Sequence, residues 1–293
     1  MQEHLTVHIL CDEWDEYELL DSGHRQKLER FGNYVVIREE PKAWWTPELP
    51  EREWQQAVAS HSGNEKIGWR FYTDVPQEWQ MHYENLILQA RFTSTSKHLG
   101  VFPEKVPHWH WIRDKIRNSR QQDIHLLNLF AYTGVTSLIA AAEGCSVTHV
   151  DAYKGVINWA SENQRLSGLN NASIRWIVDD VMKFIHREGR RQRRYDAIIL
   201  DPPSFGRGPK KELWKIESKL VELLAACREV LSEHPLFILM TMYSIDQSAL
   251  FIGNVLQDMM KGYGGKIAVG ELALKPKNSE KKLSLSIFGQ WES

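Results

Sequence analysis

From about residue 121 onward, apolar runs of strand length alternate with segments of helical period. IHLLNLF leads into an expected helix over 135–143, SVTHVD into 154–166, and SIRWIVDD into 181–187. YDAIILD leads into 213–231, and LFILMTMY into 247–260. Strands separated by helical crossovers lie parallel in one sheet, with helices on both faces. The chain closes with KIAVGELALK and KKLSLSIFGQW, two strands joined by a polar turn containing a proline. The pattern predicts an α/β fold: a doubly wound, mostly parallel, seven-stranded sheet with an antiparallel hairpin at its edge.

The first part of the chain differs. Tyr34-Val35-Val36-Ile37 and the stretch 86–92 alternate with period two between turn residues, which predicts a small β-rich domain over 1–95 ahead of the α/β domain over 96–293. PKAWWTPELP reads as extended or turn-like because each proline fixes its own backbone and restrains its predecessor. Its two tryptophans are expected to pack against the main body. A formal net charge of −2 argues against a globally basic nucleic-acid binder and leaves room for a local basic face. Three scattered cysteines favour neither a disulfide framework nor a zinc site. His98, His108 and His110 lack partners at ligand spacing, so no metal is expected. The acidic N-terminus lacks a signal-peptide pattern and no apolar stretch is long enough to span a bilayer, so a cytoplasmic protein is expected, with its oligomeric state open.

Ligands of doubly wound sheets bind at the C-terminal strand ends. Four such ends carry suggestive residues. Asn128-Leu-Phe-Ala-Tyr-Thr-Gly134 is an aromatic turn entering a helix, where Gly134 permits close backbone approach. It lacks the G-x-G-x-x-G of a pyrophosphate site. Asp151 ends the second strand, where an acid accepts from both ribose hydroxyls, or else caps the next helix. Asp179-Asp180 ends the third; Asp180, followed by apolar Val181, suits an adenine amino group, again with helix capping as the plain alternative. Asp201-Pro202-Pro203-Ser204-Phe205 ends the fourth. Two prolines make a rigid turn without donors, so its carbonyls and the Asp201 carboxylate are expected to point outward as acceptors.

In series, LNLFAYTG, VDAYKGVINWASENQRLSGL, IRWIVDD and DPPSFGRG resemble the class I S-adenosylmethionine-dependent methyltransferases, and within them the group related to bacterial large-subunit ribosomal RNA methyltransferases. The likeness covers about residues 96–293, and the closing hairpin is a feature of that fold. It implies S-adenosylmethionine as cofactor. Phe130, Tyr132 and Gly134 would surround its methionine part, Asp151 would hold the ribose and Asp180 the adenine amino group, and Asp201 would face the methyl. SKHLGVFPEK resembles the segment that closes over the methionine end, which brings in Phe102. Asn128, Thr133 and Val181 complete the implied cofactor-binding set. Residues 1–95 do not resemble the RNA-binding module of the rRNA cytosine enzymes.

Methyl transfer is an in-line displacement, so the protein must align a lone pair and exclude water. An Asp-Pro-Pro turn suits an exocyclic amine: Asp201, Pro202 and Pro203 would hold its hydrogens, and Phe205 would stack on the base, although Ser204 intervenes before the aromatic. Carbon-5 transfer to cytosine needs a cysteine nucleophile. None lies after the fifth strand, where the sequence is Thr241-Met-Tyr-Ser-Ile245. The expected activity is therefore methylation of RNA, with ribosomal RNA foremost, at a base nitrogen; a protein or small-molecule acceptor is the alternative. Arg207, Lys210 and Lys211 in GRGPKK are placed to meet phosphates. The arginines between 187 and 194 read as a solvated connection.

Overall fold

A computed structural model of the protein describes residues 6–64, 66–94, 96–243 and 245–293. The chain divides into two compact units. The larger takes residues up to Leu10, His108–Leu272 and Ser286–Ser293; the smaller takes Cys11–Pro107 and Ala273–Leu285. This differs from a cut at residue 95 in three ways, the first being that the smaller unit continues to Pro107. Strand β1 (Val7–Leu10) pairs in parallel with Val269–Leu272, so the start of the chain belongs to the large sheet. The stretch 273–285 returns to the smaller unit, where Lys42 Nζ donates to the Leu285 carbonyl at 2.9 Å and Lys281 meets Glu48 at 3.0 Å.

The smaller unit contains a five-stranded sheet formed by β2 (Tyr17–Gly23), β3 (Gln26–Phe31), β4 (Tyr34–Glu39), β5 (Ala59–His61) and β6 (Trp69–Phe71), in that order. The single-turn helix α1 (Glu51–Trp54) lies between β4 and β5, and β7 (Glu78–Tyr83) pairs antiparallel with β8 (Leu86–Arg91). Its interior is partly ionic. Glu29, fully buried, accepts twice from Arg38 at 2.7 Å and once from the Tyr17 hydroxyl at 2.8 Å. Burial works to raise the Glu29 pKa, but the Arg38 guanidinium and the Lys27 ammonium overcome it and hold the carboxyl at about 2. Trp44 does not pack inward as expected: it is 76% exposed, and its indole donates to the Pro41 carbonyl at 2.6 Å.

The larger unit begins its helices with α2 (Val106–Arg117). It continues through β9 (His125–Leu129), α3 (Val135–Ala142), β10 (Ser146–Asp151), α4 (Lys154–Leu166), β11 (Ile174–Val178) and α5 (Val181–Arg190). Then follow β12 (Ala197–Leu200), the short strands β13 (Phe205–Arg207) and β14 (Leu213–Lys215), and α6 (Ile216–Glu229). β15 (Phe237–Tyr243), α7 (Ala249–Met259), β16 (Lys266–Leu274) and β17 (Leu283–Glu292) complete the chain. The sheet order is β1-β16-β17-β15-β12-β9-β10-β11. Strands β9 to β12 and β15 pair in parallel, and β17 runs antiparallel to β15. The expected seven strands are present, and β1 adds an eighth outside β16. Strand order reverses at β9, which lies between β12 and β10, so the crevice of the sheet opens at the C-terminal ends of β9, β10 and β12. Apolar faces of α5, α6 and α7 cover one core around Phe184, Leu223 and Ile252, and α3 covers another with Ala140.

One expected helix is shortened. Leu213–Lys215 is a strand, paired antiparallel with Phe205–Arg207. Each strand of this hairpin is three residues long, too short to show a period next to the long helix that follows.

Candidate active site

Residues 130–134, between β9 and α3, curl tightly. Phe130 (φ 56°), Tyr132 (φ 51°) and Gly134 (φ 83°) all take left-handed backbone. For a bulky non-glycine residue that conformation costs about 1–3 kcal/mol and persists only where the surroundings enforce it. Here the Tyr132 N–H donates to Asp151 Oδ2 at 3.0 Å, and the Ala131 N–H to the Val150 carbonyl at 3.2 Å. The Phe130 ring packs against Trp214 (centroids 4.9 Å), and Tyr132 lies 6.3 Å from Trp159.

Gly134 also answers a packing constraint. A Cβ at this position would stand 2.8 Å from the Ala160 Cβ and 3.4 Å from Trp176. The glycine lets α3 and α4 approach closely.

Asp151 closes β10. Its other oxygen accepts from the Tyr153 N–H at 3.0 Å. Burial raises its pKa; backbone donors at Tyr153, Tyr132 and Ala152 oppose that rise, and the nearby Asp201 carboxylate adds to it. The two acids, both partly buried, stand at the C-terminal ends of β10 and β12, the two neighbours of β9. Asp180 caps α5, accepting from the Lys183 N–H at 3.0 Å. Its second oxygen lies 3.1 Å from where a Cβ on Gly208 would stand, so the hairpin passes directly over it. Asp179 pairs with Arg187 at 2.7 Å and accepts from the Asp180 N–H at 2.9 Å. Arg187 and Arg190 consequently belong to the last turn of α5 rather than to a loose connection.

Three expected cofactor residues turn inward. The Asn128 side-chain amide donates to Ser137 Oγ at 2.9 Å, and that hydroxyl lies 2.9 Å from His149 Nδ1. His149 is buried and neutral, its pKa pressed down to about 3 by burial. This polar chain joins β9, α3 and β10 beneath the loop. The Thr133 carbonyl accepts from Asn163 Nδ2 at 3.0 Å, with Thr133 itself buried. Val181 is 3% exposed and belongs to the α5–α6 core. Phe102 lies in the smaller unit, its ring 5.0 Å from His98 and 5.5 Å from Lys105 Nζ.

After β12, Pro202 is buried and Pro203 exposed. The Pro203 carbonyl does not point outward as expected; it accepts from the Trp214 indole at 2.6 Å. The Ser204 carbonyl accepts from the Ile216 N–H at 3.1 Å. Asp201 itself, at the end of β12, is partly buried. Phe205 is 53% exposed at the start of the hairpin, which carries exposed Arg207, Lys210, Lys211 and Lys215. The hairpin is tied to α5 by an ion pair between Lys183 and Glu212.

Trp214 and Asn163 were not foreseen. Trp214 lay inside the expected helix. Asn163 could have been found: it falls on the buried stripe Val156, Ile157, Trp159, Ala160 of α4, where a polar residue needs a partner. His108 and His110 lie within α2, His108 buried edge-on to Phe288 at 5.0 Å and His110 exposed. Among the described residues, no three His, Cys, Asp or Glu side chains gather as metal ligands, and no helix is long and apolar enough to cross a membrane.

Residues 74–234 match the family model for S-adenosylmethionine-dependent methyltransferases. The crystal structure of the SAM-dependent methyltransferase from Agrobacterium tumefaciens is 42% identical, with a TM-score of 0.93, covering 100% of this chain and 97% of that one. A ribosomal RNA large subunit methyltransferase K/L of Colwellia psychrerythraea is 28% identical over 232 residues, 72% of this chain and 31% of that protein. Its counterpart in Shewanella frigidimarina is 34% identical over 125 residues, 42% of this chain and 17% of that protein. The chain thus spans less than a third of the length of these two curated relatives.

Proposed function

This chain belongs to the S-adenosylmethionine-dependent methyltransferase family, and on that premise we propose that it methylates RNA at an exocyclic nitrogen of a base. The observation that carries the reading is the Asp201 turn: an acid followed by two prolines at the end of β12, the strand that pairs with β9 at the switch point. The cofactor is a cationic sulfonium that supplies an electrophilic methyl group. Its charge suits a site where Asp151 and Asp201 already repel each other, and Asp151 is oriented by two backbone N–H groups to accept from ribose hydroxyls. Asp201 accepts a hydrogen of the acceptor amine and so turns the nitrogen lone pair toward the methyl. Exposed Phe205 offers a face for the base, and Arg207 and Lys210 offer cations for phosphates.

The thiols support nitrogen over carbon. Burial pushes Cys145 up to about 12 and raises Cys227 further, and Cys11 is raised as well. None is poised as a thiolate nucleophile. The relatives' names, ribosomal RNA large subunit methyltransferase K/L, support ribosomal RNA as the acceptor pool, which implies work in the cytoplasm. The net charge of −2 motivates a second reading, a protein or small-molecule acceptor.

The test is transfer of labelled methyl from S-adenosylmethionine to RNA of cells lacking the chain, followed by nucleoside analysis. Label in an N-methylated purine or cytosine is expected. Label in 5-methylcytidine overturns the nitrogen assignment. Label in protein alone, with none in any RNA pool, overturns the RNA reading.

A further inference from the structure

The smaller unit contains a cleft of about 570 Å³ that the methyl-transfer chemistry leaves unused. The size is that of a small-ligand site, ~300–1,000 Å³. Ile37, Leu49, Ala57 and the Trp54 indole give it an apolar wall. Gln26, Glu51, Gln55 and Tyr72 line it with polar groups.

The cleft is held in shape. The buried Asp21 carboxylate accepts from Trp54 Nε1 at 3.1 Å and from the backbone N–H groups of Glu48 at 3.0 Å and Leu49 at 2.8 Å. One acid therefore fixes both ends of the wall. The Tyr72 hydroxyl lies 2.7 Å from Ser60 Oγ, which orients a ring that is half exposed. The two-residue β2–β3 turn places His24 (φ 49°) and Arg25 (φ 63°) in left-handed backbone. Such a turn normally uses Asn or Gly. Here the N–H groups of His24 and Arg25 donate to the Trp45 and Ala43 carbonyls at 2.8 and 2.7 Å, and His24 lines the cleft.

The chemistry is that of a base site. Two amides offer both donors and acceptors, and Glu51 accepts only, as the Watson–Crick edge of a base with an amino group requires. Cations accompany exposed aromatic faces: the Arg70 guanidinium lies 5.4 Å from the Tyr72 ring, and that of Arg25 lies 5.3 Å from Trp44. Paired stacking faces and cations are what a single nucleic-acid strand uses.

We propose that this cleft binds an unpaired base of the RNA acceptor, stacked on Tyr72 and read by Gln26, Glu51 and Gln55, with Arg25 and Arg70 on adjoining phosphates. The proposal rests on the RNA reading. It is tested on the full chain with a short single-stranded RNA carrying 4-thiouridine, crosslinked by light and mapped by mass spectrometry. RNA affinity and S-adenosylmethionine affinity are measured in parallel for wild type, Tyr72→Ala and Gln26→Ala. Crosslinks within 51–57 or 69–72 are expected, with RNA bound about tenfold more weakly by Tyr72→Ala and cofactor affinity unchanged. Crosslinks confined to 205–215, with Tyr72→Ala binding RNA as wild type does, overturn the cleft and leave the RNA reading standing. No crosslink anywhere, and no RNA binding by wild type, overturns both.

Discussion

Asp151 carries two opposed demands. As a ribose acceptor it must be ionised, yet burial and Asp201 favour its protonated form. Cofactor affinity is therefore expected to weaken as the pH is lowered from neutral through its raised pKa. Fold stability moves the other way: an acid with a raised folded pKa penalises the fold when ionised, and the penalty disappears as it is protonated. Calorimetric titration of S-adenosylmethionine across that range checks the first trend. Asp151→Ala is expected to weaken binding by about 100-fold, from two hydrogen bonds to a charged group at ~1.5 kcal/mol each, and to flatten the pH dependence. Gly134 tests packing instead. Gly134→Ala combines a positive φ with a 2.8 Å approach to Ala160, so a loss of about 1–3 kcal/mol in denaturant unfolding is expected. At this scale the sequence exposed the acids, since carboxylates at strand ends have few roles. It did not expose the orientation of Asn128, whose partner Ser137 is nine residues away on the next element.

Among elements, the β13–β14 hairpin and the ionic sheet of the smaller unit make distinct predictions. Trp214 reaches from β14 to Pro203 and Phe130 and so ties the acceptor turn to the cofactor loop. Trp214→Phe removes the indole donor and is expected to lower kcat by about tenfold, roughly the worth of one hydrogen bond, with little change in KM for S-adenosylmethionine. Steady-state kinetics against both substrates separates the two. In the smaller unit, the Glu29 pKa is held at about 2 against an ordinary 4.5. Its stabilisation is complete above the ordinary value and is lost as pH falls from about 4.5 toward 2; buried Glu104, whose pKa is raised, acts in the opposite sense. Glu29→Gln leaves Arg38 unpaired inside and is expected to cost about 3–5 kcal/mol, measured by denaturant unfolding at neutral pH. Most elements of the larger unit were legible as periodicity, α4 to the residue. The hairpin was not, because three-residue strands carry too few positions to show a period beside a fourteen-residue helix.

For the whole molecule, the chain crosses between its two units four times, at residues 10, 107, 272 and 285. A chain beginning at residue 96 lacks β1 and leaves Leu283 and Leu285, both buried, without residues 11–95 of their unit. Such a fragment is expected to lose cooperative unfolding and near-ultraviolet dichroism. The sequence by itself determined the parallel sheet and the order of the acidic strand ends, because each is written in local periodicity or in a residue type with a narrow set of uses. Only the tertiary structure decided that Val7–Leu10 would edge the large sheet, that 273–285 would return to the smaller unit, and which polar groups near the strand ends turn inward. Strand partners and buried hydrogen bonds are chosen between residues far apart in the chain, and no local pattern encodes that choice.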